Sequence, residues 1–322
     1  MARDVKIISI GAAVQDVILR GRIFEPHRDE DGDKVNEFEL GSKNEVEAIT
    51  HSTGGGATNA AVTFARQGLR SFYMGKIGDD TPGKVILETL RQDNVDTSLV
   101  GYNRDLGTGF SAILLSPGGE RTVLTYRGAS SQYHLKETDF FNQTADWIYI
   151  SSLSGDTAAL KTIVKYAQKN DIKIAINPGK GELKEKKLLK EILPAISVLS
   201  LNKEEMAQLF PGETARELAV AAAGHVPLVL LTDGPKGSYA CDGAKLYKAG
   251  VYEDVPVIDR LGAGDAFNSG FVTAIARGQT VEEALTLASA NSTSVVGQIG
   301  SKAGILKASA RLHDMEIKVS QL

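Results

Sequence analysis

The second half of the chain alternates strand patterns with helix patterns, and this alternation constrains the fold more than any other feature. Short apolar runs predict strands at 147–150, 172–176, 196–200 and 228–232. Patterns with helical spacing predict helices at 157–169, 185–192, 203–209 and 214–223. Strands that alternate with helices form parallel sheets with helices on both faces. The sequence therefore predicts an α/β fold with a doubly wound, mainly parallel sheet.

The same kinds of pattern continue on both sides of this region. The first half contains strand patterns at 5–10 and 72–77, and helix patterns at 57–68 and 82–93. The C-terminal part contains a short apolar run at 255–258, read as a strand, and a hairpin-like stretch at 237–250. Helices are predicted at 265–275, 280–296 and about 305–313.

Two segments interrupt the alternation and predict a separate small sheet. Residues 20–53 are polar and charged, and Val46, Ala48 and Thr50 alternate with polar residues as in a half-exposed strand. Residues 108–115 and 121–127 flank a Ser-Pro-Gly-Gly-Glu turn, which is typical of a hairpin. We expect these segments, about 15–53 and 101–127, to form a small antiparallel lid.

Composition excludes several classes of function. The net charge is −4 and the pI is about 5.8, which argues against a nucleic-acid-binding surface. No apolar run approaches the ~18 residues of a membrane span, so we expect no membrane partner. A lone cysteine, Cys241, and a start without a signal-peptide pattern favour the cytoplasm.

A glycine turn at 262–264 leads directly into a helix and offers an anion site. The first turn of a helix has free backbone N–H groups and the positive end of the helix dipole. Asp265 sits beside this site, where it could accept a proton from a hydroxyl while the amides of Gly262, Ala263 and Gly264 hold a phosphoryl group. The alternative is that Asp265 only caps the helix, and these residues alone favour that simpler interpretation.

Several polar residues stand just after predicted strands. In an open α/β sheet the carboxyl ends of the strands meet at one edge, where ligands bind. The residues that share this position are Asp16, Asn177, Asn202, Thr232 and Gly262. Each alone could be a turn residue, but their convergence favours a shared ligand site.

Two further patterns have a structural and a functional interpretation. Asn202 and Glu205 have the spacing of a helix capping box, and could also hold Mg²⁺ through water. The glycines at 54–56 allow a ligand to approach the backbone, and Asn59 in the following helix could bind a hydroxyl. For both patterns, the residues alone favour the structural interpretation.

Four motifs in this order resemble the ribokinase-like (PfkB) family of carbohydrate and nucleoside kinases. The most specific is Asp-Arg-Leu-Gly-Ala-Gly-Asp-Ala-Phe at 259–267, which is similar to the C-terminal signature of that family. Gly-Gly-Gly-Ala-Thr-Asn at 54–59 is similar to its N-terminal glycine signature. Asn-Lys-Glu-Glu at 202–205 and Thr-Asp-Gly-Pro-Lys-Gly at 232–237 match its metal and nucleotide motifs. The resemblance covers residues 11–304 and implies one ribokinase-like domain over 1–322.

The resemblance implies a kinase that transfers the γ-phosphoryl group of ATP to a hydroxyl of a small sugar. It implies that Asp265 is the base and that Gly262, Ala263 and Gly264 form the anion site. The residues implied to bind substrate are Asp16, Gly55 and Asn59. Those implied to bind the nucleotide are Asn177, Thr232, Gly234, Gly237 and Asn291. Those implied to hold Mg²⁺ are Asn202 and Glu205, and those implied for K⁺ are Asp259, Val295 and Gly300.

Two departures from the family pattern keep the substrate open. Ribokinases carry a lysine where this chain has Gly56, so ribose does not follow as the substrate. The lid excursion at 20–53 is longer than the resemblance to compact members implies, which fits a larger substrate or a homodimer formed through the lid. A nucleoside kinase and a catalytically silent sugar-binding regulator therefore remain as alternatives to a sugar kinase.

Overall fold

A computed structural model describes residues 4–133, 135, 138–252 and 255–322. The strands are β1 (Lys6–Ile10), β2 (Val14–Arg20), β3 (His27–Arg28), β4 (Lys34–Val35), β5 (Ala48–Gly54), β6 (Arg70–Gly78), β7 (Asp96–Asn103), β8 (Gly109–Leu115), β9 (Arg121–Tyr126), β10 (Trp147–Ile150), β11 (Lys173–Ile176), β12 (Val198–Asn202), β13 (Leu228–Thr232), β14 (Ser238–Cys241), β15 (Lys245–Ala249) and β16 (Ile317–Gln321). The helices are α1 (Gly56–Arg66), α2 (Thr81–Gln92), α3 (Thr157–Lys169), α4 (Lys180–Lys184), α5 (Lys186–Ile192), α6 (Lys203–Leu209), α7 (Ala215–Ala223), α8 (Ala263–Ala276) and α9 (Val281–Val296).

Most strands form one central sheet with the order β16-β15-β14-β13-β12-β11-β10-β1-β6-β7. From β7 to β13 the neighbouring strands pair in parallel, and the last three pairs, out to β16, are antiparallel. The predicted mainly parallel sheet is therefore confirmed. The sheet also includes β7 and β16, which the sequence patterns did not predict.

Helices cover both faces of the central sheet. One buried cluster contains Leu160 of α3, Leu189 of α5 and Leu218 of α7, packed against the sheet. A second cluster, on the other face, contains Phe64 of α1 and Phe271 of α8. This arrangement brings the N-terminal ends of α1 and α8 side by side near the carboxyl end of β1.

A second, small sheet stands beside the central one and has the order β5-β2-β8-β9. Two of its strand pairs are antiparallel, and the middle pair, β2 and β8, is parallel. Its inner face packs Ile18, Ile113 and Leu115 against Leu261 and Ile299 of the main body. These contacts hold the small sheet over the start of α8.

Two predicted elements are wrong, and hydrogen bonds explain why. Residues 255–258 are not a strand. The amides of Ile258 and Asp259 both donate to the carbonyl of Val296, at 2.8 and 3.1 Å, so the end of this segment is bonded to the last residue of α9 and not to a neighbouring strand. Residues 305–313 are not a helix. Their backbone is held by side chains instead, since Asn291 accepts from the Leu306 amide at 2.9 Å.

One predicted position also changes. Asp16 was expected in a turn after β1, but it lies within β2, where it pairs with Ser52 on one side and Ser111 on the other. The small sheet, rather than the end of a central strand, therefore positions this carboxylate. Among the described residues, no helix is both long enough and apolar enough to cross a membrane.

The packing of α8 gives a test of the fold. Phe271 is fully buried between the helices and the central sheet, so Phe271→Ala should lower the free energy of unfolding by about 3–5 kcal/mol. Phe38→Ala is the matched control, because its ring is 42% exposed and contacts Phe24 edge-on. Phe38→Ala should lower the free energy of unfolding by less than about 1.5 kcal/mol. Urea denaturation followed by circular dichroism measures both, and equal losses would contradict the assigned core.

Candidate active site

The N-terminus of α8 is shaped by one glycine. Gly262 has a φ of 77°, in the left-handed region, and a Cβ atom there would lie 2.4 Å from Cβ of Ser301. Both the backbone conformation and the close packing therefore require glycine. The helix begins at Ala263, two residues before the start at Asp265 that the sequence predicts, and the backbone N–H groups of its first turn have no carbonyl partner within the helix.

Asp265 lies in this first turn and is held from the side by α1. The Asn59 side-chain amide donates a hydrogen bond from Nδ2 to Oδ2 of Asp265, at 2.7 Å. Burial raises the pKa of Asp265, while the Asn59 hydrogen bond and the positive charge of Lys302 oppose that rise. Asn59 and Asp265, which belong to two motifs far apart in the sequence, are thus in direct contact.

The glycines before α1 allow the backbone to approach this pair closely. A Cβ atom on Gly55, whose φ is 97°, would lie 2.2 Å from the Ala12 carbonyl oxygen. A Cβ atom on Gly56 would lie 2.3 Å from Oγ of Ser151 and 3.1 Å from Oδ1 of Asp265. A side chain at either position would push apart the residues around Asp265.

Asp16 approaches the same place from the small sheet. Its carboxyl packs onto Gly54, where a Cβ atom would lie 2.1 Å from Oδ2 of Asp16. Burial raises the pKa of Asp16 to about 6, although Lys302 and a hydrogen bond from Ser111 oppose the rise. The negative charges of Asp259 and Asp265 raise the pKa of Asp16 further, because like charges repel.

Lys302 completes this group, and the sequence patterns did not identify it. Its ammonium is buried and donates to the Thr53 carbonyl at 2.6 Å, to Oγ1 of Thr58 at 2.9 Å and to Oδ1 of Asn59 at 2.7 Å. Burial lowers its pKa to about 7, and the nearby Asp16 and Asp265 oppose that change. Lysine is seldom buried without such partners. We call Asp16, Asn59, Asp265 and Lys302 the polar cluster.

A cleft of about 670 Å³ opens beside the N-terminus of α8. The predicted residues Asn202, Thr232, Gly234, Gly237, Ala263 and Gly264 all line it. Arg121, at the start of β9 in the small sheet, lines it as well and was not predicted. The cleft therefore brings the loops after β12 and β13 together with the first turn of α8.

Two predicted nucleotide residues lie elsewhere. Asn291 is fully buried, donates to the Ala266 carbonyl at 2.8 Å and accepts from Leu306, so it braces α8 and α9. Ser289, Ser292 and Thr293 of the same helix line the cleft in its place. Asn177 holds the Ser200 carbonyl at 2.9 Å and is also absent from the cleft lining. A one-residue step along a helix turns a side chain by ~100°, which explains the difference for Asn291.

Asn202 and Glu205 form the capping box of α6. The Asn202 side chain accepts from the Glu205 amide at 2.8 Å, and the Glu205 carboxyl accepts from the Asn202 amide at 3.1 Å. Burial raises the pKa of Glu205. The described residues contain no group of three or more His, Cys, Asp or Glu side chains that could hold a metal ion. A magnesium ion bound here would therefore need waters and phosphate oxygens as further ligands.

Asp259, the first residue of the C-terminal motif, ties two loops together. Its carboxyl oxygens accept from the Leu261 amide at 2.9 Å and from the Gly300 amide at 3.0 Å. The Val295 carbonyl accepts from the Gln298 amide at 3.0 Å. The Asp259 amide in turn donates to the Val296 carbonyl at 3.1 Å, so Asp259 joins the loop at Gly300 to the end of α9, where Val295 lies.

The chain is similar to known sugar kinases in sequence. Ribokinase of Bacillus subtilis is 28% identical over 256 residues, covering 78% of this chain and 84% of that protein. The 5-dehydro-2-deoxygluconokinase of Shouchella clausii is 27% identical over 275 residues, covering 79% of this chain and 83% of that protein.

Solved structures show the same fold. Adenosine kinase from Sinorhizobium meliloti has a TM-score of 0.80 at 21% identity and covers 95% of this chain and 98% of its own. Ribokinase of Arabidopsis thaliana, complexed with ribose and ATP, has a TM-score of 0.77 at 21% identity, with 95% and 97% covered. The description "pfkB family carbohydrate kinase" matches residues 7–308. The predicted family is therefore confirmed, and the chain belongs to the pfkB family of carbohydrate kinases.

Proposed function

We propose that this protein transfers the γ-phosphoryl group of ATP to a hydroxyl group of a small sugar. The observation that carries the proposal is the place of Asp265. Its carboxylate lies in the first turn of α8, beside the backbone amides of that turn, and within hydrogen-bond distance of Asn59. Asp265 is itself part of the polar cluster, which suits a polyhydroxy substrate, and Ala263 and Gly264 of the same helical turn line the cleft, which suits a nucleotide. The ribokinase and fructokinase relatives support a sugar as the acceptor.

The chemistry follows from this arrangement. Asp16 and Asn59 would bind sugar hydroxyls, and the backbone at Gly55 allows the sugar to approach. Asp265 would take the proton of the reacting hydroxyl as its oxygen bonds to the γ-phosphorus and the bond to the β–γ bridging oxygen of ATP breaks. The amides of Gly262, Ala263 and Gly264 would stabilise the charge on the transferring group. ADP and the sugar phosphate are the products.

The nucleotide and its cations have suitable partners. Thr232, Gly234 and Gly237 would bind the nucleotide in the cleft, and Asn202 with Glu205 would hold Mg²⁺ through water. A carboxylate has about four lone-pair sites, so the capping bonds leave capacity for such water. Mg²⁺ would supply positive charge to the phosphate oxygens. Asp259, with carbonyls near Val295 and Gly300, would hold a K⁺ ion behind the anion site.

A nucleoside kinase is the second candidate. Gly56 carries no side chain beside Asp265, so the lysine that ribokinases have at this position is absent here. A coupled ADP-release assay over pentoses, hexoses, sugar acids and nucleosides distinguishes the candidates. Turnover of sugars supports the proposal, turnover of nucleosides alone supports the second candidate, and binding without any turnover shows a silent regulator. The cytoplasmic location stays a prediction from the sequence.

Replacing the proposed base tests the mechanism. Asp265→Asn keeps the size of the side chain but cannot accept the proton, so kcat should fall by ~10²–10⁴-fold or more. Nucleotide binding, measured by calorimetry, should be retained because the amides and the cleft are unchanged. Wild-type turnover in this variant would contradict the role of Asp265.

A glycine substitution tests the position of Asp16 without removing its charge. The added methyl of Gly54→Ala would collide with Oδ2 of Asp16, so the carboxyl must move out of the site. We expect the KM for the sugar to rise about 10-fold or more, as for a lost charged hydrogen bond, while the KM for ATP stays unchanged. Gly224→Ala is the matched control, because its φ is −69° and its nearest neighbour is 3.7 Å away. Equal KM values for both variants would contradict the role of Asp16.

The small sheet has an apolar outer face that suits a homodimer. Side chains alternate along a strand, and Ile18 and Ile113 face inward, so their neighbours face outward. The larger apolar residues on that outer face are Val17, Leu19, Ile49, Phe110, Leu114, Leu124 and Tyr126. Leu124 is 58% exposed and Ile49 is 55% exposed. We infer that a second copy covers this face, because monomers rarely expose such patches.

A charge on that face should separate the dimer. Leu124→Glu would place a carboxylate in the apolar interface, so light scattering after size exclusion should give the mass of one chain where the wild type gives two. Val220→Glu, on α7 at a position 36% exposed, is the control and should leave the dimer intact. A monomeric wild type, or a dimeric Leu124→Glu, would rule out this interface.

A further inference from the structure

We propose that Lys302 is a positioning residue for phosphoryl transfer: it fixes the side-chain amide of Asn59, which in turn holds the carboxyl group of Asp265, and it places an ammonium group beside the two carboxylates of the polar cluster. This inference rests on the proposed function, since it assigns Lys302 a part in the work of Asp265. Lys302 lies in a loop after α9, far from the other members of the cluster in the sequence.

The ammonium of Lys302 is fully satisfied by its surroundings. An ammonium group has three hydrogens, and here three acceptors receive them: the Thr53 carbonyl, Oγ1 of Thr58 and Oδ1 of Asn59. The side chain is only 5% exposed. Lys302 therefore joins the end of β5 to the first turn of α1, at the point where the glycine loop enters the site.

These contacts decide which way the Asn59 amide points. Oδ1 of Asn59 accepts from Lys302 at 2.7 Å and from Oγ of Ser301 at 2.9 Å. Rotating the amide by half a turn would set its NH₂ group against the Lys302 ammonium, which has no lone pair to accept a hydrogen bond, so the observed orientation is favoured. In that orientation Nδ2 donates to Oδ2 of Asp265. The position of the carboxyl group is thus set by the residues at 301 and 302.

The charge of Lys302 acts on the same carboxyls. Lys302 opposes the rise in the pKa of Asp16 and of Asp265 that burial causes. The charged groups that act on Lys302 itself are Asp16, Asp265 and Asp93, which favour its charged form, and Arg66, which opposes it. Two other groups lie near these carboxyls. Beyond the effect of burial, the charge of Asp259 raises the pKa of Asp16, and the charge of Asp265 raises the pKa of the Tyr149 hydroxyl.

The sign of the effect follows directly. Asp265 can accept a proton only when it is ionised, and a nearby cation favours the ionised form. Loss of that cation raises the pKa of Asp265, so a higher pH is needed to make the base available. The acidic limb of the kcat–pH profile should therefore move to higher pH in a variant without the Lys302 charge.

The central experiment compares Lys302→Met with the wild type in a steady-state kinase assay from about pH 5 to 9. We expect kcat to fall roughly 10–100-fold, as for other supporting contacts at reaction centres, with little change in the KM for ATP. The acidic limb should move up in pH. Lys302→Arg keeps the charge but not the three contacts, so it should lower kcat and leave the limb in place. Lys307→Met, on the exposed surface nearby, should change neither.

A second comparison separates positioning from general damage. In an Asp265→Asn background, Lys302→Met should cause almost no further loss of kcat, because both changes remove one function. If the two losses multiply instead, Lys302 does not act through Asp265 and the inference is overturned. Should Lys302→Met fail to fold, Ser301→Ala removes the other donor to Asn59 and should produce a smaller loss in kcat with the same non-additivity.

A measurement that needs no turnover keeps this inference distinct from the proposed function. Carboxyl ¹³C NMR titration, with Asp265→Asn to assign the signal, reports the ionisation of Asp265 directly. In Lys302→Met the signal should titrate at higher pH than in the wild type, and an unchanged titration overturns the inference. If the Asp265 signal shifts while the wild type phosphorylates no alcohol, the proposed function fails and the electrostatic role of Lys302 stands.

Discussion

The hydrogen bond between Asn59 and Asp265 is the contact on which the arrangement of the site depends. It joins the first turns of α1 and α8, two helices that follow different strands and lie 206 residues apart in sequence. Each helix brings its own glycine turn, and each turn allows the backbone of another segment to come near. The proposed reaction centre is therefore the meeting point of two helix N-termini, and neither helix contains it alone.

Close backbone packing explains why small residues gather around that contact. Gly262 packs against Ser301, and Gly54 packs against Asp16, at distances that leave no room for a methyl group. These contacts bring three carboxylates, at positions 16, 259 and 265, near one another. Like charges in a buried site are costly, so the lysine at 302 and the backbone amides bonded to Asp259 offset a large part of that repulsion.

The small sheet contributes residues both to the polar cluster and to the cleft. Its inner face supplies Asp16 and packs Ile18 onto the body, while Arg121 reaches the cleft from its outermost strand. Its outer face is apolar. A sheet with this division of faces can cover the substrate and contact a second subunit at once, so oligomerisation and substrate binding would share one element.

The sequence by itself determined most strands of the central sheet, most of its helices, the hairpin of β8 and β9, and the glycine turn at 262–264, because periodicity and turn residues are local signals. It also marked Asp265 and Asn59, since both lie in motifs with fixed spacing. Only the tertiary structure decided that Asp16 belongs to the small sheet, that Asn291 braces two helices, and that 305–313 is not helical. The sequence patterns did not identify Lys302, because its environment also depends on tertiary contacts. Its burial comes from contacts with residues more than 240 positions away, and no local pattern records such contacts.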